Sequence, residues 1–148
     1  MEKPFVLLAD DNEATCTLIT ALLQSEFVVE VATDGAEAIE KLKSREYSAI
    51  LLDLLMPLVD GYAVLDYLTE HRPEALSRVL VVTASLSNTQ MQRVRGYDIC
   101  CVISKPFDVE TLQTAVRLAA GTNEMPLLRG PLVSGGMILL LGELLKKF

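Results

Sequence analysis

Residues able to do acid, metal and phosphate chemistry follow four of the five short apolar runs in this 148-residue sequence. Asp10 and Asp11 come after the first run, Asp53 ends the third, Thr83 ends the fourth and Lys105 follows the fifth. Short apolar runs bounded by turn residues are typical of buried strands in a parallel sheet. Since the carboxyl ends of parallel strands share one edge, where open α/β sheets bind ligands, we expect these side chains to meet there.

Three carboxylates in one pocket repel one another, and a hard divalent cation relieves that repulsion. Mg²⁺ prefers oxygen ligands, and the absence of His or Cys beside these acids disfavours zinc. A lysine and a hydroxyl next to such a cation suit phosphoryl chemistry, because they neutralise and hydrogen-bond the transferred group. Structural interpretations stay open: Asp10 and Asp11 could cap a helix, Asp53 could form a turn, Lys105 could be a surface lysine, and Thr83 a buried hydroxyl.

The elements that must position these residues alternate between strand and helix five times. The predicted strands are 5–9, 27–32, 48–53, 78–84 and 99–103. The first predicted helix has its apolar face at Leu18, Ile19, Leu22 and Leu23, and the second at Ala38, Ile39 and Leu42. The third and fourth predicted helices span 61–72 and 87–95. The last has its apolar face at Val109, Leu112, Val116 and Ala119. Such alternation predicts an α/β fold with a parallel sheet, helices on both faces and right-handed crossovers. The fourth helix has the weakest apolar pattern, so we expect it to be the most easily shifted.

Turn and cap residues support these bounds. Asn12 or Asp11 is a reasonable N-cap for the first helix. Asp34 and Glu37 have the spacing of a capping box. Pro73 stops the third helix. Gly96 closes the fourth helix; Asp108 caps the last one, and Gly121 closes it.

Composition excludes several classes of protein. The formal charge of −7, with no basic run, argues against direct nucleic-acid binding. The N-terminus lacks the apolar region of a signal peptide, and no stretch reaches the roughly 18 apolar residues of a membrane span. Cys16, Cys100 and Cys101 are odd in number and lack C-x-x-C spacing, so we expect buried hydrophobes in a reducing cytoplasm.

From about residue 3 to 120 the sequence resembles a receiver domain of two-component response regulators. The matching pieces are Asp10-Asp11, the D-x-x-M-P-x-x-D-G block from Asp53 to Gly61, Thr83-Ala84, and Lys105-Pro106-Phe107. Each piece alone is unspecific, but all four occur in order at predicted strand ends. The resemblance implies a flavodoxin-like doubly wound sheet with strand order 2-1-3-4-5. It divides the chain into a receiver domain, 1–121, and an appendage, 122–148.

The resemblance also implies a chemical role for each matching residue. Asp53 would accept a phosphoryl group from a phosphohistidine on a sensor histidine kinase or a histidine phosphotransfer protein. Asp11, Asp53 and the backbone carbonyl of Leu55 would bind Mg²⁺ directly, and Asp10 would act through water. Lys105 would pair with a phosphoryl oxygen.

Two further features are implied by the resemblance, and one residue departs from it. The Lys105-Pro106 peptide bond would be cis, and Thr83 would be a switch hydroxyl that moves the fourth helix. Val102 occupies the position three before the lysine, where the family usually has an aromatic switch residue. A valine cannot signal by moving a large ring. His71, the only histidine, lies near the end of a predicted helix, so we expect the phosphoryl group to come from another molecule.

The appendage lies outside the resemblance. Prolines and glycines make its first part a linker. Residues 137–148, MILLLGELLKKF, could form about three helical turns, with Ile138, Leu141, Leu145 and Phe148 on one side. This apolar surface needs a cover: the receiver's own surface, a second subunit or a membrane interface. We favour a homodimer through this helix; the alternative is the beginning of a linker to a further domain.

Three functions follow from these observations. We expect first a signalling switch rather than an enzyme, which catalyses only its own phosphorylation and dephosphorylation. The second is a phosphorylation-independent interaction module that acts through the C-terminal helix. The third, a Mg²⁺-dependent phosphohydrolase, is disfavoured because such enzymes usually need a second acid where this chain has Leu55.

Overall fold

The computed structural model describes residues 2–84 and 86–121, which form one parallel sheet between two layers of helices. The strands are β1 (Phe5–Ala9), β2 (Val28–Ala32), β3 (Ala49–Leu52), β4 (Val79–Thr83) and β5 (Cys101–Ser104). Their order is β2-β1-β3-β4-β5, with all neighbours parallel. The predicted flavodoxin-like doubly wound sheet is therefore confirmed.

Five helices cover the sheet. They are α1 (Glu13–Leu23), α2 (Gly35–Ser44), α3 (Gly61–His71), α4 (Asn88–Arg95) and α5 (Val109–Ala120). Apolar side chains of α1 and α5 pack on one face of the sheet, and those of α2, α3 and α4 pack on the other. An additional 3₁₀ helix, Pro73–Arg78, follows α3. The sequence prediction missed it, although Pro73 both ends α3 and suits the first turn of a new helix.

The two faces of the sheet account for the apolar runs. Alternate residues of β1 point to opposite layers, so that Val6 and Leu8 contact the α1 and α5 layer while Leu7 and Ala9 contact the other. Both sets are almost completely buried. Because the sheet is covered on both sides, positions on its inner strands gain from an apolar side chain on either face. The strand ends are therefore held in place by a dense core on either side.

The helix caps agree with the sequence, with one correction. Asn12 caps α1 by accepting a hydrogen bond from the Thr15 N–H at 2.9 Å, and Asp108 caps α5 through the Thr111 N–H at 2.7 Å. Asp34 accepts from the Glu37 N–H. The second bond of the predicted capping box, from the Asp34 N–H to the Glu37 side chain, is not formed, however. Glu37 accepts instead from the backbone N–H of Thr33, one residue further back.

Strand bounds differ from the prediction by one or two residues. Phe27 lies before β2, because its N–H donates to the Leu23 carbonyl and closes the end of α1. β5 begins at Cys101 and reaches Ser104, whereas 99–103 was predicted. These shifts leave each predicted site residue at the carboxyl edge of the sheet.

The predictions for the appendage cannot be compared with this structure, since residues 122–148 lie outside the described part of the chain. They include the linker, the helix of 137–148 and the homodimer expected through it. Among residues 2–84 and 86–121, no helix is long and apolar enough to cross a membrane.

Candidate functional site

Asp53 is the first residue after β3, and the sheet fixes its backbone. Its N–H donates to the Ala9 carbonyl at 2.9 Å, which continues the parallel register one residue beyond the strand. The carboxylate is 7 % exposed. Its Oδ1 accepts from the Leu55 N–H at 3.0 Å and from the Thr83 hydroxyl at 2.9 Å. Its Oδ2 accepts from the Lys105 ammonium at 3.2 Å. Both oxygens are therefore oriented by donors.

The start of α3 packs closely against the loop that follows β3 and begins with Asp53. A side chain at Gly61 would place its Cβ only 2.4 Å from the Asp53 carbonyl oxygen and 2.7 Å from the Leu54 Cα. The Gly61 N–H also donates to the Leu54 carbonyl at 3.1 Å, and Asp60 caps the helix. Gly61 is thus needed because the helix and the loop approach each other closely. The sequence pattern indicated this glycine only as a turn residue.

Asp10 and Asp11 differ sharply in their surroundings. Asp10 is buried, and its Oδ1 accepts from the Asn12 N–H at 2.8 Å while its Oδ2 accepts from Lys105 at 2.6 Å. Asp11 is exposed to solvent at the mouth of the site. The buried acid is therefore held rigidly, whereas its neighbour faces the side from which a ligand would arrive.

Cys16 supports Asp10 in a way that the sequence did not predict. Its thiol donates to the Asp10 backbone carbonyl at 3.2 Å. Burial, and next the charge of Asp10, raise the pKa of Cys16 to about 11, so the group stays a thiol at neutral pH. The position of Cys16 one turn into α1, on the face toward the sheet, was the sequence signal that could have predicted this contact. The prediction that all three cysteines are buried is confirmed.

Lys105 connects the two buried acids. The expected cis peptide bond between Lys105 and Pro106 is present, and the Lys105 N–H donates to the Thr83 carbonyl at 2.8 Å. Burial disfavours the ammonium, but hydrogen bonds and charges from Asp10 and Asp53 outweigh it and raise the pKa of Lys105 above its usual value. The side chain is therefore a fixed positive charge in this site.

The donor set fits a magnesium ion. Asp10, Asp11 and Asp53 each offer a carboxylate oxygen, and these oxygens lie within 4.8 Å of one another. They are hard oxygen donors without a sulfur or imidazole ligand among them, which suits Mg²⁺ better than zinc. Leu55 belongs to the same loop, and its N–H is bonded to Asp53. The role of the Leu55 carbonyl as a ligand stays a prediction.

Two residues discussed from the sequence lie outside this constellation. Val102 is buried in the apolar layer beneath α2, α3 and α4. His71 is the last residue of α3, ten residues from Gly61, which corresponds to about 15 Å along a helix. Its ring packs 4.7 Å from that of Tyr67. Of the six predicted site residues, the five that act through side chains (Asp10, Asp11, Asp53, Thr83 and Lys105) are thus brought together, and Leu55 lies in the adjoining loop.

The chain belongs to the response regulator receiver domain family, whose model matches residues 6–117. A probable transcriptional regulator, ycf29, of Pyropia yezoensis is 30% identical over 118 residues, covering 78% of this chain and 52% of that protein. Its counterpart in Porphyra purpurea is 27% identical over 119 residues, covering 79% and 56%. This chain therefore spans about half the length of these curated relatives.

Solved structures agree with this assignment. The receiver domain of a sensor histidine kinase from Pseudomonas aeruginosa PAO1, with a magnesium ion coordinated in its active-site cleft, superposes with a TM-score of 0.73 at 25% identity, over 81% of this chain and 99% of that one. The Vibrio cholerae chemotaxis protein CheY4 gives a TM-score of 0.71 at 24% identity, over 80% and 99%. The second likeness supports the fold alone.

Proposed function

We propose that this chain is the phosphoacceptor of a two-component phosphorelay and that Asp53 receives the phosphoryl group. The observation that carries the proposal is the environment of Asp53: a nearly buried carboxylate with three oriented donors, next to a second buried acid and a fixed ammonium. A carboxylate that merely ends a turn needs none of these partners. Membership of the receiver family supports the same conclusion.

The donor in this proposal is a phosphohistidine on a sensor histidine kinase or a histidine phosphotransfer protein. A carboxylate oxygen of Asp53 attacks the phosphorus, and the P–N bond breaks with its electron pair going to the imidazole nitrogen. The product is an aspartyl phosphate. Lys105 is placed to hold one phosphoryl oxygen by charge. His71 is too far along α3 to serve as an internal donor.

Mg²⁺ would be held by Asp11, Asp53 and the Leu55 carbonyl, with Asp10 acting through water, and when bound it would neutralise charge on the transferred group. The relative from Pseudomonas aeruginosa, which carries magnesium in its cleft, supports this choice of metal. The chain itself fixes the positions of Asp10 and Lys105: the Asn12 N–H donates to the Asp10 carboxylate, and the Lys105 N–H donates to the Thr83 carbonyl.

The switch in this proposal runs from Thr83 to α4. The Thr83 hydroxyl donates to Asp53 in the unmodified chain, and a phosphoryl group on Asp53 would offer it a new acceptor. Thr83 is the last residue of β4, and the chain continues directly into the loop before α4. Because Val102 replaces the usual aromatic residue of strand five, the response is assigned to α4 and its loop.

The remaining assignments follow from this role. The chain acts as a switch rather than as an enzyme on external substrates, and it catalyses only its own phosphorylation and dephosphorylation. Three buried cysteines with thiol side chains suit the reducing cytoplasm. The homodimer expected from the sequence through residues 137–148 stays a prediction, and sedimentation velocity over a range of protein concentration distinguishes it from docking of that segment within one chain.

The competing proposal is an interaction module that keeps the fold without being phosphorylated. Val102 is the observation in its favour. Incubation with a small acyl phosphate and Mg²⁺, followed by intact mass measurement, separates the two. We expect one phosphoryl group on the parent chain and none on Asp53→Asn. Asp60→Asn, which changes an exposed cap acid seven residues away, serves as the matched control and should still be modified.

Chelation of Mg²⁺ should abolish the adduct in the parent chain. If the folded parent gains no mass, or if Asp53→Asn gains as much as the parent, the phosphoacceptor assignment is wrong. Far-UV circular dichroism of all three proteins establishes that they are folded.

A further inference from the structure

The solvent face of α1 is unlike those of the other helices, because it carries no charge after its first residue. Its exposed residues lie at helical spacing and are small or apolar: Ala14, Thr17, Leu18 and Ala21. The Leu18 side chain is 49% exposed, one of the few large apolar side chains in contact with solvent. Helices α2, α3, α4 and α5 each expose charged residues. An uncharged face of this kind suits packing against another helix.

The same face is indented. Two adjoining shallow grooves, of about 730 Å³ and 410 Å³, lie along it and share Glu13, Thr17 and Ala21 in their linings. Small side chains at Ala14 and Ala21 allow the backbone of a partner to come close, and Leu18 borders the groove. The face is therefore open enough for a helix about as long as α1, roughly 16 Å for eleven residues, to lie along it.

Residues 137–148 of this chain have the matching composition. Ile138, Leu141, Leu145 and Phe148 recur every three or four positions, and as a helix twelve residues would measure about 18 Å. α5 ends near the far end of α1, since Arg117 in the last turn of α5 donates to Glu26, three residues beyond α1. The intervening residues 122–136 could span at most about 50 Å. The segment can thus reach the α1 face from where the described chain stops.

Charge favours one direction of approach. Glu13 and the exposed Asp11 lie at the end of α1 that borders the site. The segment carries Lys146 and Lys147 near its own end and Glu143 one turn earlier, so that its side chains have a net charge of +1. If it runs from the end of α5 back along α1, these lysines arrive beside the two acids, where opposite charges attract.

We propose that residues 137–148 dock on the α1 face of the same chain, along Ala14, Thr17, Leu18 and Ala21. A short tether gives the segment an effective concentration in the millimolar range, so docking within one chain outcompetes docking on a second copy at micromolar protein.

Amide hydrogen exchange on the full chain tests the proposal through reciprocal variants. Leu145→Asp introduces a charge into the segment and leaves the sequence of the receiver domain unchanged. The α1 amides should then exchange about tenfold faster than in the parent. Leu18→Asp changes the α1 face, and residues 137–148 should lose protection. Val109→Asp, at a side chain of nearly equal exposure at the start of α5, is the matched control and should change neither. Exchange in β1 and β3 verifies that each variant is folded.

Each other outcome overturns the proposal. Residues 137–148 that exchange at the unprotected rate in the parent would show that they do not dock. Protection that grows between two protein concentrations about fiftyfold apart would assign the contact to a second copy. Protection that appears only with anionic phospholipid vesicles would assign it to a membrane surface. None of these results depends on phosphorylation of Asp53, so the two proposals fail separately.

Discussion

Helices α4 and α5 follow neighbouring strands that each deliver one residue to the site, yet they are attached to the domain very differently. α5 buries five residues against the sheet: Thr111, Leu112, Ala115, Val116 and Ala119. Of the eight described residues of α4, only Val94 is buried. The helix after Lys105 is thus part of the core, and the helix after Thr83 rests on its surface.

Surface contacts take the place of core packing at α4. The Arg93 guanidinium lies 3.8 Å from the ring centroid of Tyr62 on α3, and a complete capping box joins Ser87 and Gln90. The Tyr62 hydroxyl is buried without a hydrogen-bond partner among the described residues, and burial raises the pKa of Tyr62. Such contacts are individually weak, so α4 can shift while α5 and the residues at the strand ends keep their positions. A switch needs both kinds of support.

The largest expected effect concerns the core of α5. Leu112→Ala removes a fully buried side chain, and we expect the free energy of unfolding to fall by about 2–5 kcal/mol, because a cavity remains. Urea denaturation monitored by circular dichroism measures it. A loss below about 1 kcal/mol would mean that α5 is not an integral part of the core.

A matched pair sharpens the comparison, since Val116 on α5 and Val94 on α4 are both fully buried. Shortening either valine to alanine removes the same atoms. We expect Val116→Ala to lower the free energy of global unfolding by about 1–2 kcal/mol. Val94→Ala should mainly accelerate amide exchange within α4. Equal effects of both variants on exchange throughout the protein would contradict a loosely attached α4.

The contact between Arg93 and Tyr62 should contribute less. Arg93→Ala removes the cation–π contact, and we expect a loss of about 0.5–1 kcal/mol, seen as faster exchange in α4. Gln92→Ala, at the exposed neighbouring position, is the control and should leave that exchange unchanged. If both variants behave alike, the stacking contact does not hold the helix.

The smallest effect lies at the other end of α5, where Arg117 makes two hydrogen bonds to Glu26, at 2.9 and 2.8 Å. The hydrogen bond from Arg117 lowers the pKa of Glu26 below its usual 4.5. A lowered pKa stabilises the fold above the unfolded value, and this contribution disappears as the pH falls through the folded value. The pair is partly open to solvent, so we expect about 0.5 kcal/mol.

Glu26→Gln should therefore be less stable than the parent at pH 7, and the difference should shrink as the pH falls below 4.5, measured by urea denaturation at each pH. Glu74→Gln, an exposed acid in the 3₁₀ helix, is the control. A difference that persists unchanged in acid would show that the charge on Glu26 is not its source.

The sequence predicted the sheet and the side chains that meet at its carboxyl edge, because both depend on local signals. Short apolar runs that end in Asp10, Asp53, Thr83 or Lys105 are typical of strands buried on both faces, and parallel strands bring their ends together. The strand order came from family resemblance and not from periodicity. Caps such as Asn12 are also local, since a side chain bonds a backbone group three residues away.

The rest depended on distant contacts. The bond from the Cys16 thiol to the Asp10 carbonyl, the close approach of Gly61 to the Asp53 loop, and the stacking of Arg93 on Tyr62 each join separate elements. No pattern of spacing reveals such a pair. The capping box predicted at Asp34 failed for a similar reason, because Glu37 had a nearby alternative donor in the Thr33 N–H.

Hydrogen exchange of the phosphorylated chain tests most directly whether Asp53 signals through α4. The parent and Asp53→Asn are each incubated with a small acyl phosphate and Mg²⁺, and exchange in α4 is compared with exchange in α5. The account predicts that exchange in α4 and its preceding loop changes severalfold in the parent alone, while α5 stays as it was. An unchanged α4 in a chain shown by mass to carry the phosphoryl group, or an equal change in α5, would contradict it.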